Sequence, residues 1–354
     1  VCRLRQSAAL PEAAEVVIKI AYRHPRIRKR LFQGDLFAAE GGTEYSHAET
    51  VARSRNIYGP YEMHPNTHLL TTKDAPDSYL QKTGHASICQ GPDGRWWVAF
   101  LCGRPVDESK CCVLGRETGV NEIVWNNDWP YLKNGTLVAD AEFEGYGEQK
   151  KKTSVDYDFR SKEFALDFNS LRVPARTEVL ENGNLRIYGG ESLSSNHSQQ
   201  MCVRRQTDFC FRATTTVQLF SSNFQQMSGL LYRYDEFAQY YFYLSRMEEK
   251  GLCLSIIKID HDGASFPLSG KEIPCPCEEV TLRLTVHRTT GRFSYSFDGK
   301  TFTEIPYDID VTILSDEYAA LGFTGAFIGM ACQDMNCQSA YADFSRFTYE
   351  VLES

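Results

Sequence analysis

Gly84-His85-Ala86-Ser87-Ile88-Cys89-Gln90-Gly91-Pro92-Asp93-Gly94-Arg95-Trp96-Trp97-Val98-Ala99-Phe100-Leu101-Cys102 is the stretch whose reading decides the fold. Two strand-like runs, His85 to Cys89 and Trp96 to Cys102, flank Pro92-Asp93-Gly94. Proline pre-sets one turn dihedral and glycine accepts the left-handed geometry of a tight reversal, so the stretch reads as a β-hairpin. Glu122 to Trp125 continues the sheet on one side, ahead of Trp129-Pro130. On the other side Leu36-Phe37-Ala38-Ala39 runs into Glu40-Gly41-Gly42. His47 to Arg53 then alternates toward Val51, and Ile57-Tyr58-Gly59-Pro60-Tyr61 turns the chain into Glu62 and Met63. Short strands punctuated by Gly and Pro predict antiparallel sheets of the kind that make propeller blades.

The stretch from Gly145 to Ser154, with Gln149-Lys150-Lys151-Lys152 at its centre, reads as a linker. Beyond it alternation resumes in Leu185-Arg186-Ile187-Tyr188, Thr214 to Phe220, Leu230 to Tyr234, Tyr240 to Leu244, Leu252 to Ile259, Thr281 to His287 and Phe293 to Phe297. Asp298-Gly299 adds a hairpin signal before Phe302. Many strands without a convincing helical period predict two packed sheets. Residues 1–35 read differently. Pro11-Glu12-Ala13-Ala14-Glu15 predicts the start of a short helix with Val16 to Ile20 as its apolar part, and Arg23, Arg26, Arg28, Lys29 and Arg30 form a basic cluster around Pro25. Such a cluster serves as a localisation signal, an anion-binding arm or a solvated tail, and the last is preferred.

At 354 residues, 42% hydrophobic and 24% charged, the chain has room for two globular domains. A net charge of −8 argues against a nucleic-acid partner, which calls for a basic excess. No apolar run approaches the roughly 18 residues that span a bilayer, and residues 1–25 lack the order of a signal peptide, so no membrane partner and a cytoplasmic location are expected. The twelve cysteines include adjacent Cys111-Cys112 and the near pair Cys275 and Cys277, but no zinc-site spacing. Mostly buried, reduced thiols are expected. Asn134-Gly135-Thr136 and Asn196-His197-Ser198 match the glycosylation sequon and are read as chance matches.

Several motifs together carry a resemblance: Ala39-Glu40-Gly41-Gly42-Thr43, Gly84-His85-Ala86-Ser87, Leu114-Gly115-Arg116-Glu117-Thr118, Asn223-Phe224-Gln225-Gln226-Met227 and Thr324-Gly325-Ala326-Phe327. From about residue 36 to the C-terminus the chain resembles the β-xylosidase/α-L-arabinofuranosidase branch of glycoside hydrolase family 43. The resemblance implies an all-β fold in three parts. Residues 1–35 form a non-matching segment, residues 36–145 are the last blades of a five-bladed β-propeller, and residues 155–354 are a concanavalin A-like β-sandwich. It implies inverting hydrolysis of xylo-oligosaccharides or arabinosides, and it is compatible with a homo-oligomer. It also implies roles for four residues. Arg116 would bind the non-reducing sugar, Cys112 would line the pocket and Phe323 would reach across its mouth. His85 would lie at the bottom of the central cavity, where some members face a divalent cation such as Ca2+. No other cofactor is expected.

The family's catalytic groups have no match. An inverting glycosidase sets two carboxyl groups roughly 6.5–9.5 Å apart, one as acid and one as base. The family acid lies in a Thr-Glu-Gly-Pro motif, and here that place reads Tyr22-Arg23-His24-Pro25-Arg26. The aspartate base and the aspartate that tunes the acid are equally unmatched. Glu40 is a weak substitute, read first as a structural or rim residue. The expectation is a chain that carries sugar-contacting residues and does not cleave. Plainer roles stand beside these: a surface ion pair with Glu117 for Arg116, a satisfied core position for His85, and blade packing for Trp96 and Trp97. A non-catalytic carbohydrate-binding or assembly module, with Tyr240, Tyr241 and Tyr243 as sugar platforms, and an inactive gene fragment are the competing readings.

Overall fold

The computed structural model describes residues 17–21, 34–42, 44–143, 154–319 and 324–353. Along the chain they divide into two compact units. The first takes the chain up to Arg104 and again from Arg116 to Gly147; the second takes Pro105–Gly115 and everything from Glu148 on. The chain therefore crosses between the units on either side of Pro105–Gly115 as well as near Glu148.

The first unit holds two four-stranded antiparallel meanders, each the size of a propeller blade. Strands β1 (Val17–Ala21), β2 (Gly34–Glu40), β3 (Ala48–Ser54) and β4 (Glu62–Thr71) form one, in chain order. Strands β5 (Gln81–Gln90), β6 (Trp96–Gly103), β7 (Arg116–Asn126) and β8 (Trp129–Leu132) form the other. The helix expected to run through Ile20 is not formed. Val17 to Ala21 instead pair antiparallel with Ala39 to Asp35 of β2. A β-branched run is stiff in a helix and fits a pleated ladder, and β2 offers it an edge. The basic cluster from Arg23 to Arg30 lies outside the described residues.

The central hairpin closes as its turn residues require: Gly94 has φ +86°, and the Gly91 N–H donates to the Arg95 carbonyl at 2.8 Å. Both sheets feed one core, with Phe37, Val51, Leu69 and Leu70 from the first and Ala86, Val98, Phe100 and Ile123 from the second. Trp96 packs against this core and meets Trp125 edge to face at 5.5 Å, while Trp97, also buried, meets the Phe143 ring at 5.6 Å.

The second unit is a sandwich of two eight-stranded antiparallel sheets. One runs Phe168–Asn169, Met201–Arg205, Phe327–Asp334, Gln226–Asp235, Ala238–Met247, Gly251–Asp260, Gly263–Ser265, with Ile273–Pro274 added beside Gly251–Asp260. The other runs Thr177–Val179, Leu185–Tyr188, Tyr341–Val351, Cys210–Phe220, Glu279–His287, Thr290–Ser296, Thr303–Asp310, with Val155–Tyr157 added beside Tyr341–Val351. The α-helix among the described residues, Lys162–Asp167, is six residues long, and none there is long and apolar enough to cross a membrane. Alternation along Cys210–Phe220 sends Phe211, Ala213, Val217 and Leu219 inward against Tyr232, Phe242, Ile256 and Met330 of the facing sheet.

Tyr240, Tyr241 and Tyr243 are not sugar platforms. All three are buried to 3% exposure or less, because Ala238–Met247 is an interior strand covered on both faces. Tyr240 enters the main core, while Tyr241 and Tyr243 pack under Leu193 and Met201 on the other side. Their polar ends are engaged too: the Tyr240 and Tyr241 hydroxyls donate to the carbonyls of Asp310 and Ala331. Six of the described cysteines, at 102, 112, 202, 210, 253 and 332, are buried thiols, and Cys89 and Cys337 are exposed.

The Pro105–Gly115 excursion is part of the sandwich core through Val106, Val113 and Leu114, each 2% exposed or less. The Ala326 N–H donates to the Val113 carbonyl at 2.9 Å, and Arg205 donates to the Leu114 carbonyl. Gly115 (φ +65°) and Gly325 (φ +73°) cross backbone to backbone. A Cβ on Gly115 would lie 2.3 Å from the Gly325 nitrogen, so the crossing tolerates no side chain.

Candidate functional site

Arg116 and His85 converge on a third residue, His47, inside the first unit. Arg116 opens β7 opposite Gly103 of β6, and its Nη2 donates to the Gly42 carbonyl at 3.2 Å. It does not pair with Glu117. Adjacent strand residues point to opposite faces, and the Glu117 carboxylate is taken by both arms of Arg104, at 2.6 and 2.8 Å.

His85 lies where β5 is irregular. The ladder to β6 shifts register on both sides of Gly84, and Lys82 and His85 both take positive φ, +56° and +52°. The distortion makes room for His47. A Cβ on Gly84 would come within 2.6 Å of the His47 ring, so glycine is required there.

His47 is 2% exposed, and its Nδ1 lies 3.1 Å from the Lys82 carbonyl. A carbonyl only accepts, so Nδ1 carries the proton and Nε2 is left as an acceptor. Burial first, and then the Arg116 charge, push the His47 pKa down from 6.5 to about 4; the Lys82 carbonyl opposes this and His85 adds to it. The imidazole is neutral at ordinary pH. Glu49, 1% exposed, accepts the Ala86 N–H at 2.7 Å and so fixes the backbone just after His85. The cluster thus sets a guanidinium fork beside the neutral His47 imidazole, and such a planar fork of donors can bind two adjacent hydroxyls.

Glu40 belongs to a separate network. Its Oε1 accepts the Thr50 hydroxyl at 2.6 Å and lies 3.1 Å from His68 Nδ1. Lys73 Nζ stands 3.4 Å from His68 Nε2. An ammonium only donates, so the neutral ring keeps its proton on Nδ1, toward Glu40 and Thr50. Burial leads in holding the His68 pKa below its ordinary value, against the pull of Glu40. Glu40 thereby ties β2 to β3 and β4, which is a structural duty.

Cys112 is fully buried in the second unit, where its backbone N–H donates to Glu317 Oε2 at 2.6 Å. Phe323 lies outside the described residues, as do the positions corresponding to the family acid motif. Among the described residues no three His, Cys, Asp or Glu side chains come together in a way that would hold a metal ion.

His47 and Glu49 were missed in the sequence. Glu49 lies in β3 and His47 immediately precedes it; that strand is buried on both faces (Ala48, Val51, Ala52 and Arg53 are all buried), so alternation could not mark either residue as unusual. The signal that existed was Gly84 beside His85, a glycine inside a strand where another side chain presses close.

The comparisons with known proteins agree with this architecture. A family model described as "Glycosyl hydrolases family 43" matches residues 35–130, and one described as "Beta xylosidase C-terminal Concanavalin A-like domain" matches residues 156–350. The chain is 37% identical to the "Beta-xylosidase" of Bacillus subtilis (strain 168) over 340 residues, covering 89% of this chain and 62% of that protein. It is 36% identical to "Xylosidase/arabinosidase 43B" of Humicola insolens, covering 93% of this chain and 64% of that protein. Among solved structures, the xylan beta-1,4-xylosidase from Bacillus halodurans C-125 superposes with a TM-score of 0.85 at 35% identity, over 94% of this chain and 64% of its own. The chain thus spans less than two thirds of the length of these relatives. Blade-like sheets bearing Arg116 and His85, a concanavalin A-like sandwich and these matches lead to one conclusion: the chain belongs to glycosyl hydrolase family 43, in the branch that carries the β-xylosidase C-terminal domain.

Proposed function

We propose that this chain is the sugar-holding portion of an inverting β-xylosidase or α-L-arabinofuranosidase that acts on xylo-oligosaccharides or arabinosides. The observation that carries this reading is the arrangement of Arg116 and His85 around buried, neutral His47, within the residues that match the hydrolase family model. In this reading the Arg116 fork donates to neighbouring hydroxyls of the non-reducing sugar, with the Gly42 carbonyl holding the fork in place. His47 does not touch sugar; it packs against Gly84 and keeps the β5 distortion that presents His85.

Cleavage needs a carboxylic acid at the leaving oxygen and a carboxylate to activate water. The sequence offers no counterpart of the family acid motif, and Glu40 is committed to Thr50 and His68. The proposed chain therefore binds without cleaving.

Calorimetric titration with xylobiose and a nitrophenyl xyloside assay test both halves. Binding is expected to weaken at least about tenfold on Arg116→Ala, the effect of one lost charge-assisted contact. Hydrolysis is expected at the background rate. A rate far above background that Glu40→Gln abolishes would show that Glu40 is the acid after all.

A further inference from the structure

We propose that the outer face of the Cys210–Phe220 sheet carries a second, non-catalytic site for a short, uncharged oligosaccharide. This face bears a concavity of about 510 Å³, entirely within the second unit. That volume falls in the range of roughly 300–1,000 Å³ typical of small-ligand sites.

Strand register builds its floor. Because Phe211, Ala213 and Val217 point into the core, Thr214 and Thr216 point out. Thr214 stands opposite Thr348 on one side and Arg283 on the other; Thr216 stands opposite Arg346 and Thr281, and Thr281 stands opposite Ser296. Two parallel rows of hydroxyl and guanidinium groups thus cross the sheet. The row through Thr216 lies where the ladder to Tyr341–Val351 shifts register, between Thr216 and Val217, and such bulges re-aim side chains.

The groups are pre-positioned. Thr216 and Thr281 share a hydroxyl–hydroxyl bond of 2.9 Å, and Arg283 donates to the Thr214 hydroxyl at 3.3 Å. The Arg283 guanidinium is also stacked 3.3 Å over the Phe302 ring, which fixes its plane. At one end Asp298 accepts the N–H groups of Lys300 and Thr301, closing the hairpin that brings up Phe297, itself 37% exposed. The lining thus combines hydroxyl donors and acceptors, a fixed guanidinium and an exposed aromatic face.

The charge balance selects the ligand class. Carboxylates (Glu279, Asp298, Glu350) and guanidinia (Arg283, Arg346) are interspersed in the lining. Arg346 is already paired with Asp156, and Glu350 with Arg212. A polyanion would meet carboxylates and find few unpaired cations, and an apolar ligand would strand the hydroxyls. A neutral polyol chain satisfies both, with one ring face on Phe297.

The test uses the whole chain carrying Arg116→Ala, which silences the pocket proposed in the first unit and separates the two readings. Calorimetric titration with xylotetraose is expected to show binding that persists in this background. It should then weaken at least about tenfold on Thr281→Val, an isosteric change that removes one hydroxyl, and again on Phe297→Ala. Both side chains face out from the sheet, so near-ultraviolet circular dichroism should be unchanged. Thr281→Val keeps the test decisive if Phe297→Ala disturbs the hairpin. The proposal is overturned if neither xylotetraose nor cellotetraose binds, if binding ignores both substitutions, or if a sulfated oligosaccharide binds more tightly than the neutral ones.

Discussion

His47 shows how a single buried ring ties pH to stability. Its pKa in the folded chain is about 4, against 6.5 ordinarily, so between these values the unfolded chain takes up a proton that the folded one refuses. Stability contributed by this residue is complete above pH 6.5 and drains away as the pH falls toward 4. The loss is on the order of 3 kcal/mol across that window. His64 and His68 have lowered pKa values as well, led by burial, and act in the same direction. Urea midpoints measured from pH 7 to pH 4 should fall for the first unit, and the slope should flatten in His47→Gln; an unchanged slope would mean that the ring is not buried as described. Gly84→Ala tests the same contact sterically. Its Cβ would intrude on the His47 ring, and a loss of about 1–3 kcal/mol is expected in thermal unfolding. In the sequence Arg116 and His85 stood out because their glycine-flanked motifs are distinctive. His47 did not, since nothing at the mouth of a doubly buried strand distinguishes a tucked imidazole from an apolar neighbour.

Strands and turns were more legible than single side chains. Trp96 to Cys102 and Pro92-Asp93-Gly94 emerged as β6 and its hairpin because alternation and turn chemistry are local properties. Val17–Ala21 was misread as helical because its pairing partner, β2, lies across an intervening segment that propensity does not see. The turn between Phe327–Asp334 and Tyr341–Val351 was invisible for a related reason: it is held by one carboxylate. Asp334 is 1% exposed and accepts the N–H groups of Asn336, Ser339 and Ala340 at 2.8–2.9 Å. Asp334→Ala leaves those donors without their acceptor, and a loss of about 3 kcal/mol is expected in chemical unfolding. Asp334→Asn, which keeps one carbonyl oxygen, should lose less. Equal losses would show that the side chain's bulk, rather than its acceptor oxygens, holds the turn.

At the scale of the whole molecule, the all-β class, the blades and the sandwich could be read from strand spacing and resemblance, but the path between the units could not. Val106, Val113 and Leu114 belong to the sandwich core although they lie between β6 and β7 of the first unit. Each buried side chain of this size contributes about 1.5–3 kcal/mol, so residues 154–354 alone should unfold at a clearly lower urea concentration than the sandwich of the whole chain. A synthetic peptide of residues 104–116 added in trans should recover part of the difference. Identical midpoints with and without the segment would remove it from the core. The same path restricts how such a protein can be recombined. Exchanging the sandwich with that of a relative at a single crossover near residue 150 would leave the new half plugged by a foreign eleven-residue insert, so viable chimaeras should be those that replace Pro105–Gly115 as well.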